Sequence, residues 1–123
     1  MERSDIYLFT SDQNEGWGAV VNEAMSSACA VVASDAAGSV RYLIENGKNG
    51  ASYYYGQMDE LYRRVAELLA NRERCHRYGR LAYDTMENEW AAHNAAKRCI
   101  ELAQAMLDGK KCDYAQGPCS KAR

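Results

Sequence analysis

Residues 6–34 read IYLFTSDQNEGWGAVVNEAMSSACAVVAS, and the fold is decided there. Residues 6–10 (IYLFT) are a continuous apolar run rich in strand formers, with Ser4-Asp5 before it and a polar loop after it. Such a run predicts a strand buried on both faces, as in a parallel sheet. Beyond Gly18, the residues Val20, Val21, Ala24, Met25 and Ala28 recur at helical spacing. Residues 30–34 (AVVAS) repeat the buried-strand pattern. Strand, helix, strand in this order is the unit of an open parallel α/β sheet with right-handed crossovers.

Working outward, Gly38-Ser39 predicts a short helix through Ile44, with Ser39 as its cap. Asn46-Gly47 stops that helix, Gly47 taking the left-handed cap position. Residues 51–55 (ASYYY) are a weaker third strand. From Met58 the pattern is helical, with Met58, Leu61, Val65, Leu68 and Leu69 in one stripe. A second helix over 73–86 turns Cys75, Tyr78, Leu81 and Ala82 inward. A third over 90–107 carries Ala92, Ala96, Cys99, Ala103 and Met106 in register. The tail from Asp108, with Gly109 and Gly117-Pro118, is expected to wander. The fold class is therefore α/β, a partial Rossmann-like parallel sheet of about three strands with C-terminal helices. Residues 1–57 form the strand–helix half, 58–107 the C-terminal helices of the same domain, and 108–123 the tail. An apolar run such as IYLFT needs neighbours on both sides, so its open edge predicts self-association, or burial by another segment such as the tail.

The 123 residues fit one domain, with 47% hydrophobic and 26% charged residues, ordinary for a globular chain. A formal charge of -2 offers no basic face for nucleic acid and no polybasic membrane segment. The five cysteines are odd in number and lack a CxxC pair, and MERSDIYLFTSD has charges where a signal peptide needs an apolar run. Reduced thiols and a cytoplasmic location are the expectation. Cys112 and Cys119 have no histidine near them, so no metal site is expected.

In open α/β sheets ligands bind outside the carboxyl ends of the strands, which places residues 11–25 at the site. Gly16 and Gly18 let backbone approach a ligand, and the following helix start is an anion site. Glu15 and Glu23 are eight residues apart, roughly 12 Å along a helix axis. That suits two contacts on a long ligand, not two carboxylates sharing one proton. Taken singly, Glu15 also fits a first-turn acid, Glu23 a solvated helix residue, and Trp17 a cover over the helix start. Ser11 and Ser27 lack triad partners, and His76 and His93 lack ligand partners. Asp35 follows a strand, but no G-x-G-x-x-G accompanies it.

EGWGAVVNEAM at 15–25 resembles the E-x7-E motif of retaining glycosyltransferases of the GT-B fold, most closely family 4, the group 1 domain. AVVASDAAGS and VRYLIENGKNG resemble that family's second strand, Gly-containing turn, next helix and Asn-Gly loop. The family often has Gly-x-Pro where this chain has Ala28-Cys29-Ala30. The resemblance implies half of a GT-B donor domain and transfer of a glycosyl group from a nucleotide sugar, with retention and without metal or cofactor. It implies Glu15 as the catalytic-site residue, on the donor sugar's hydroxyls. Gly16, Trp17 and Gly18 would line the sugar and phosphate pocket, and the N–H groups of Ala19 and Val20 would face the diphosphate. Glu23 would hold both ribose hydroxyls. It also implies an N-terminal acceptor domain outside these 123 residues, so the chain alone is expected not to turn over. The competing reading is a non-catalytic nucleotide-sugar-binding remnant or an assembly module.

Overall fold

The computed structural model describes residues 3–121. A parallel sheet of order β1-β2-β3 is built from β1 (Ile6–Phe9), β2 (Ala30–Ser34) and β3 (Ala51–Tyr53). Ile6 pairs with Ala30 and Phe9 with Ala33; Val32 pairs with Ala51 and Ser34 with Tyr53. The crossovers α1 (Ala19–Ser26) and α2 (Gly38–Leu43) pack with Phe9, Val31 and Ala33 in one core. On the other face α3 (Met58–Ala70) packs Leu61 and Leu68 against Ala30, Val32 and Tyr53. The long α4 (Arg72–Asn88) joins both cores, placing Cys75 and Tyr78 in the second and Ala82 and Met86 in the first. Asn71 caps it, its Oδ1 accepting from the Arg74 amide at 2.9 Å. Last comes α5 (Ala92–Leu107). The expected partial Rossmann-like sheet with C-terminal helices is the fold found.

All five residues of β2 are buried, as the AVVAS run predicts for a central strand. β1 is the open-edge strand expected, but it is not buried on both faces: Leu8 is 45% exposed, and only Phe9 is buried. An apolar run reports the burial its residues can satisfy, not which neighbours the chain supplies. Both outer predicted strands are also shorter than expected. Thr10 lies outside β1, and Tyr54 and Tyr55 project as exposed residues beyond the end of β3. At the other edge Asn46 blunts β3, its Oδ1 accepting from the Ser52 amide at 2.6 Å and its Nδ2 donating to Ser52 Oγ at 2.7 Å.

The helices depart from expectation in four places. Ser39 is not the cap of α2; Ala37 is, and Ser39 is buried inside the first turn. Gly47 does have positive φ, 82°, but lies beyond the Ile44 C-cap, in the tight turn closed by its amide on Gly50 O. Met58 and Leu69 are exposed, so the inward stripe of α3 narrows to Leu61, Val65 and Leu68. In α5 the register is rotated: Ala92, Ala96, Cys99, Ala103 and Met106 are all exposed, and the half-buried face is Asn94, Ala95, Arg98, Leu102 and Ala105.

The tail does not wander. The Arg98 guanidinium donates to Gln116 O and, at 3.3 Å, to Pro118 O, and lies 4.7 Å from the Tyr114 ring centroid. Tyr114 donates its hydroxyl to Glu101 Oε2 at 2.7 Å, and that carboxylate holds the phenol above its usual range. Asn49 ties α2 to α4 from a buried position. Its Oδ1 accepts from the Glu45 amide, and its Nδ2 donates to Leu43 O and Thr85 Oγ1. Cys29 and Cys75 are buried thiols that donate to Ser4 O and Asp5 O, just ahead of β1. Burial pushes both thiols up. Among the described residues no helix is long and apolar enough to cross a membrane.

Ala28, between α1 and β2, has φ 56°, the left-handed region. That conformation costs a non-glycine residue about 1–2 kcal/mol, partly offset by the greater unfolded-chain entropy of glycine. Ala28→Gly is therefore expected to stabilise the protein by about 0.5–1 kcal/mol, read as a higher urea midpoint at unchanged slope. A lower midpoint would mean that Ala28 is not strained.

Candidate functional site

The loop from β1 to α1 crosses the carboxyl end of the sheet and is held in three places. Asp12 accepts from the Asn14 amide at 2.9 Å and from Asn14 Nδ2 at 3.1 Å, and its carbonyl takes the Glu15 amide at 3.2 Å. Gly16 O and Trp17 O then accept from the Gly38 and Ser39 amides, both at 2.9 Å. Ser39 Oγ completes the link by donating to Gly18 O at 3.4 Å. The start of α2 thus clamps the loop that opens α1, a role that short-range cap reading misses in Ser39.

Gly18 is the N-cap of α1, with φ 79°. A Cβ there would stand 2.9 Å from Phe9 Cζ and 3.3 Å from both Ala37 Cβ and Ser39 Oγ. Glycine is required by conformation and by space alike. Gly16 differs: a Cβ there meets nothing within 4 Å. The Val21 amide turns back onto Gly18 O at 2.9 Å. The Ala19 and Val20 amides belong to the helix's first turn, which has no intrahelical acceptors, so they present N–H groups and the positive end of the helix dipole. The Gly38 and Ser39 amides at the start of α2 are already engaged by the loop.

Glu15 is half-buried in the loop, and Glu23 is exposed on α1, one turn beyond Ala19. Trp17 donates from Nε1 to Asn22 Oδ1 at 2.9 Å. Its ring meets Tyr42 at a centroid distance of 5.6 Å and Trp90 at 6.0 Å, and Tyr42 meets Trp90 edge-on at 6.3 Å. This aromatic trio ties the loop to α2 and to the α4–α5 junction, and Trp17 remains 40% exposed. Its partners are 25 and 73 residues away, a separation across which sequence spacing carries no signal. Among the described residues no three His, Cys, Asp or Glu side chains gather where they could hold a metal ion.

A parallel sheet whose first crossover opens with a glycine-capped helix start at its carboxyl edge defines a Rossmann-like half-domain with an anion-ready loop. The model of the family described as Glycosyl transferases group 1 matches residues 1–85, and the chain belongs to that family. Its fold is similar to the C-terminal domain of a glycosyl transferase group 1 family protein (LpcC) from Francisella tularensis. That likeness has a TM-score of 0.62 and 26% identity, over 68% of this chain and 42% of that one. TarM is similar with TM-score 0.71 and 24% identity, over 80% of this chain and 20% of TarM. A sucrose-phosphate synthase from Thermosynechococcus elongatus gives 0.63 and 17%, over 76% of this chain and 23% of that one. The chain therefore spans less than half the length of each of these structures. No curated protein matches it.

Proposed function

We propose that this chain is the donor-binding portion of a retaining family 4 glycosyltransferase, taking a nucleotide sugar and passing its glycosyl group to an acceptor held by a further domain. The observation that carries this reading is the start of α1. Gly18 in the left-handed region sets the Ala19 and Val20 amides at the carboxyl end of β1, between Glu15 and Glu23. Those amides and the helix dipole suit a diphosphate. Glu15, before the helix, is assigned to the donor sugar's hydroxyls. Glu23, on the exposed face of α1, is assigned to the two ribose hydroxyls, which one carboxylate can accept together. Gly16 and Trp17 complete the wall between them. Transfer needs an acceptor oriented over the donor, an arrangement worth about 7–11 kcal/mol of barrier, so this half-site alone is expected to bind without turning over.

The test is Glu23 in an intact enzyme carrying this segment. Glu23→Ala leaves ribose hydroxyls without an acceptor and forfeits a charged hydrogen bond of roughly 1.5–3 kcal/mol. A donor affinity about tenfold weaker or worse is expected, with Glu23→Gln less affected because it keeps an acceptor oxygen. Both variants should fold normally, since Glu23 is exposed. An unchanged donor KM with full activity in Glu23→Ala would make Glu23 a surface acid.

A further inference from the structure

We propose that the cleft between α2 and α3, beyond the carboxyl ends of β2 and β3, binds a small hydroxylated molecule through one oxyanion group, a phosphate or a carboxylate. The cleft has a volume of about 530 Å³, and Asp35, Arg41, Tyr53, Glu60 and Arg64 are among the residues that line it. None of residues 11–25 does, so this inference stands independently of the donor-site reading.

The hydrogen-bonding capacity left over inside the cleft identifies the ligand class. Its acidic groups are already engaged. Asp35 Oδ1 accepts from the Tyr55 amide at 2.9 Å. Glu60 Oε2 accepts from the Tyr54 amide at 3.4 Å, and its Oε1 from Arg64 at 3.1 Å, with Arg63 at 3.6 Å. Asn46 and Ser52 satisfy one another. Beyond the carboxylates' spare lone pairs, what remains is donor capacity. Arg64 Nε is buried without a hydrogen-bond partner, and the side chain, 28% exposed as a whole, lines the cleft. Arg41 is exposed on α2, with no hydrogen bond or ion pair of its side chain among the described residues. A buried N–H without an acceptor is costly, and a guanidinium presents its donors in a planar fork that matches carboxylate and phosphate oxygens. Two arginines against two carboxylates leave the lining formally neutral, which suits a single anionic head and opposes a polyanion. The spare lone pairs of Asp35 and Glu60 suit hydroxyl groups on the rest of the molecule.

The experiment follows the Arg64 Nε–H resonance and the Tyr54 and Tyr55 amides by ¹⁵N NMR. Inorganic phosphate and acetate are titrated separately against chloride at fixed ionic strength, which removes general screening. Saturable shifts at these three signals are expected. Saturation with phosphate alone assigns a phosphoryl head, and saturation with acetate assigns a carboxylate. Arg41→Ala should weaken the response about tenfold, as loss of a charge-assisted hydrogen bond implies, and Arg64→Gln should abolish it. Should Arg64→Gln fail to fold, Arg41→Ala decides, because it removes no internal partner. No saturable shift with either anion, or an undiminished response in Arg41→Ala, overturns the proposal.

Discussion

Gly79→Ala is expected to destabilise the protein by about 3 kcal/mol or more, although alanine is the better helix former by about 1 kcal/mol. Gly79 lies in the interior of α4, where it is buried. A Cβ there would stand 2.1 Å from Ala28 O and 3.0 Å from Ala28 C. Those atoms are backbone, in the turn that links α1 to β2, and cannot rotate aside. The helix would have to lift from the turn, opening the contacts that Ala82 and Met86 make with the α1–α2 core. Urea unfolding measures the effect as a fall in midpoint. A midpoint at or above that of the parent would show that α4 does not pack on this turn.

Gly18→Ala is the second large effect, an expected loss of about 2 kcal/mol or more. The left-handed conformation at φ 79° accounts for about 1–2 kcal/mol of it, and the 2.9 Å approach to Phe9 Cζ adds to that. Gly16→Ala is the matched control. It lies two residues earlier in the same loop, a Cβ there meets nothing within 4 Å, and the change should stay within about 0.5 kcal/mol. Equal effects at the two glycines would mean that the loop is not shaped by Gly18.

The sheet was legible because AVVAS and IYLFT are short apolar runs separated by a helical period, and parallel strands have that pattern. The start of α1 was legible because Gly18 breaks the polar loop just before that period begins. The open edge of β1 was legible too, but its exposure at Leu8 was not, since composition records what a strand can bury and not what covers it. The register of α5 failed for a related reason. Its apolar arc is wide, running from Ala95 and Leu102 round to Ala92 and Ala103, so periodicity alone does not say which half meets the body. Arg98 decides that by reaching to the carbonyls of Gln116 and Pro118, a contact across about twenty residues. The close packing at Gly79 was not read from the sequence, because the Ala28 carbonyl it admits belongs to a distant turn.

The central claim is that the start of α1 receives the diphosphate of a nucleotide sugar, and a ¹⁵N NMR titration tests it most directly. UDP- and GDP-sugars are added to the chain directly, and the α2–α3 cleft is followed separately through the Arg64 Nε–H and the Tyr54 and Tyr55 amides. The account predicts that the Ala19 and Val20 amides shift first and furthest, with Glu15 and Glu23 moving alongside them at the same ligand concentrations. Shifts confined to residues 58–107, or none at all with either nucleotide, would contradict it.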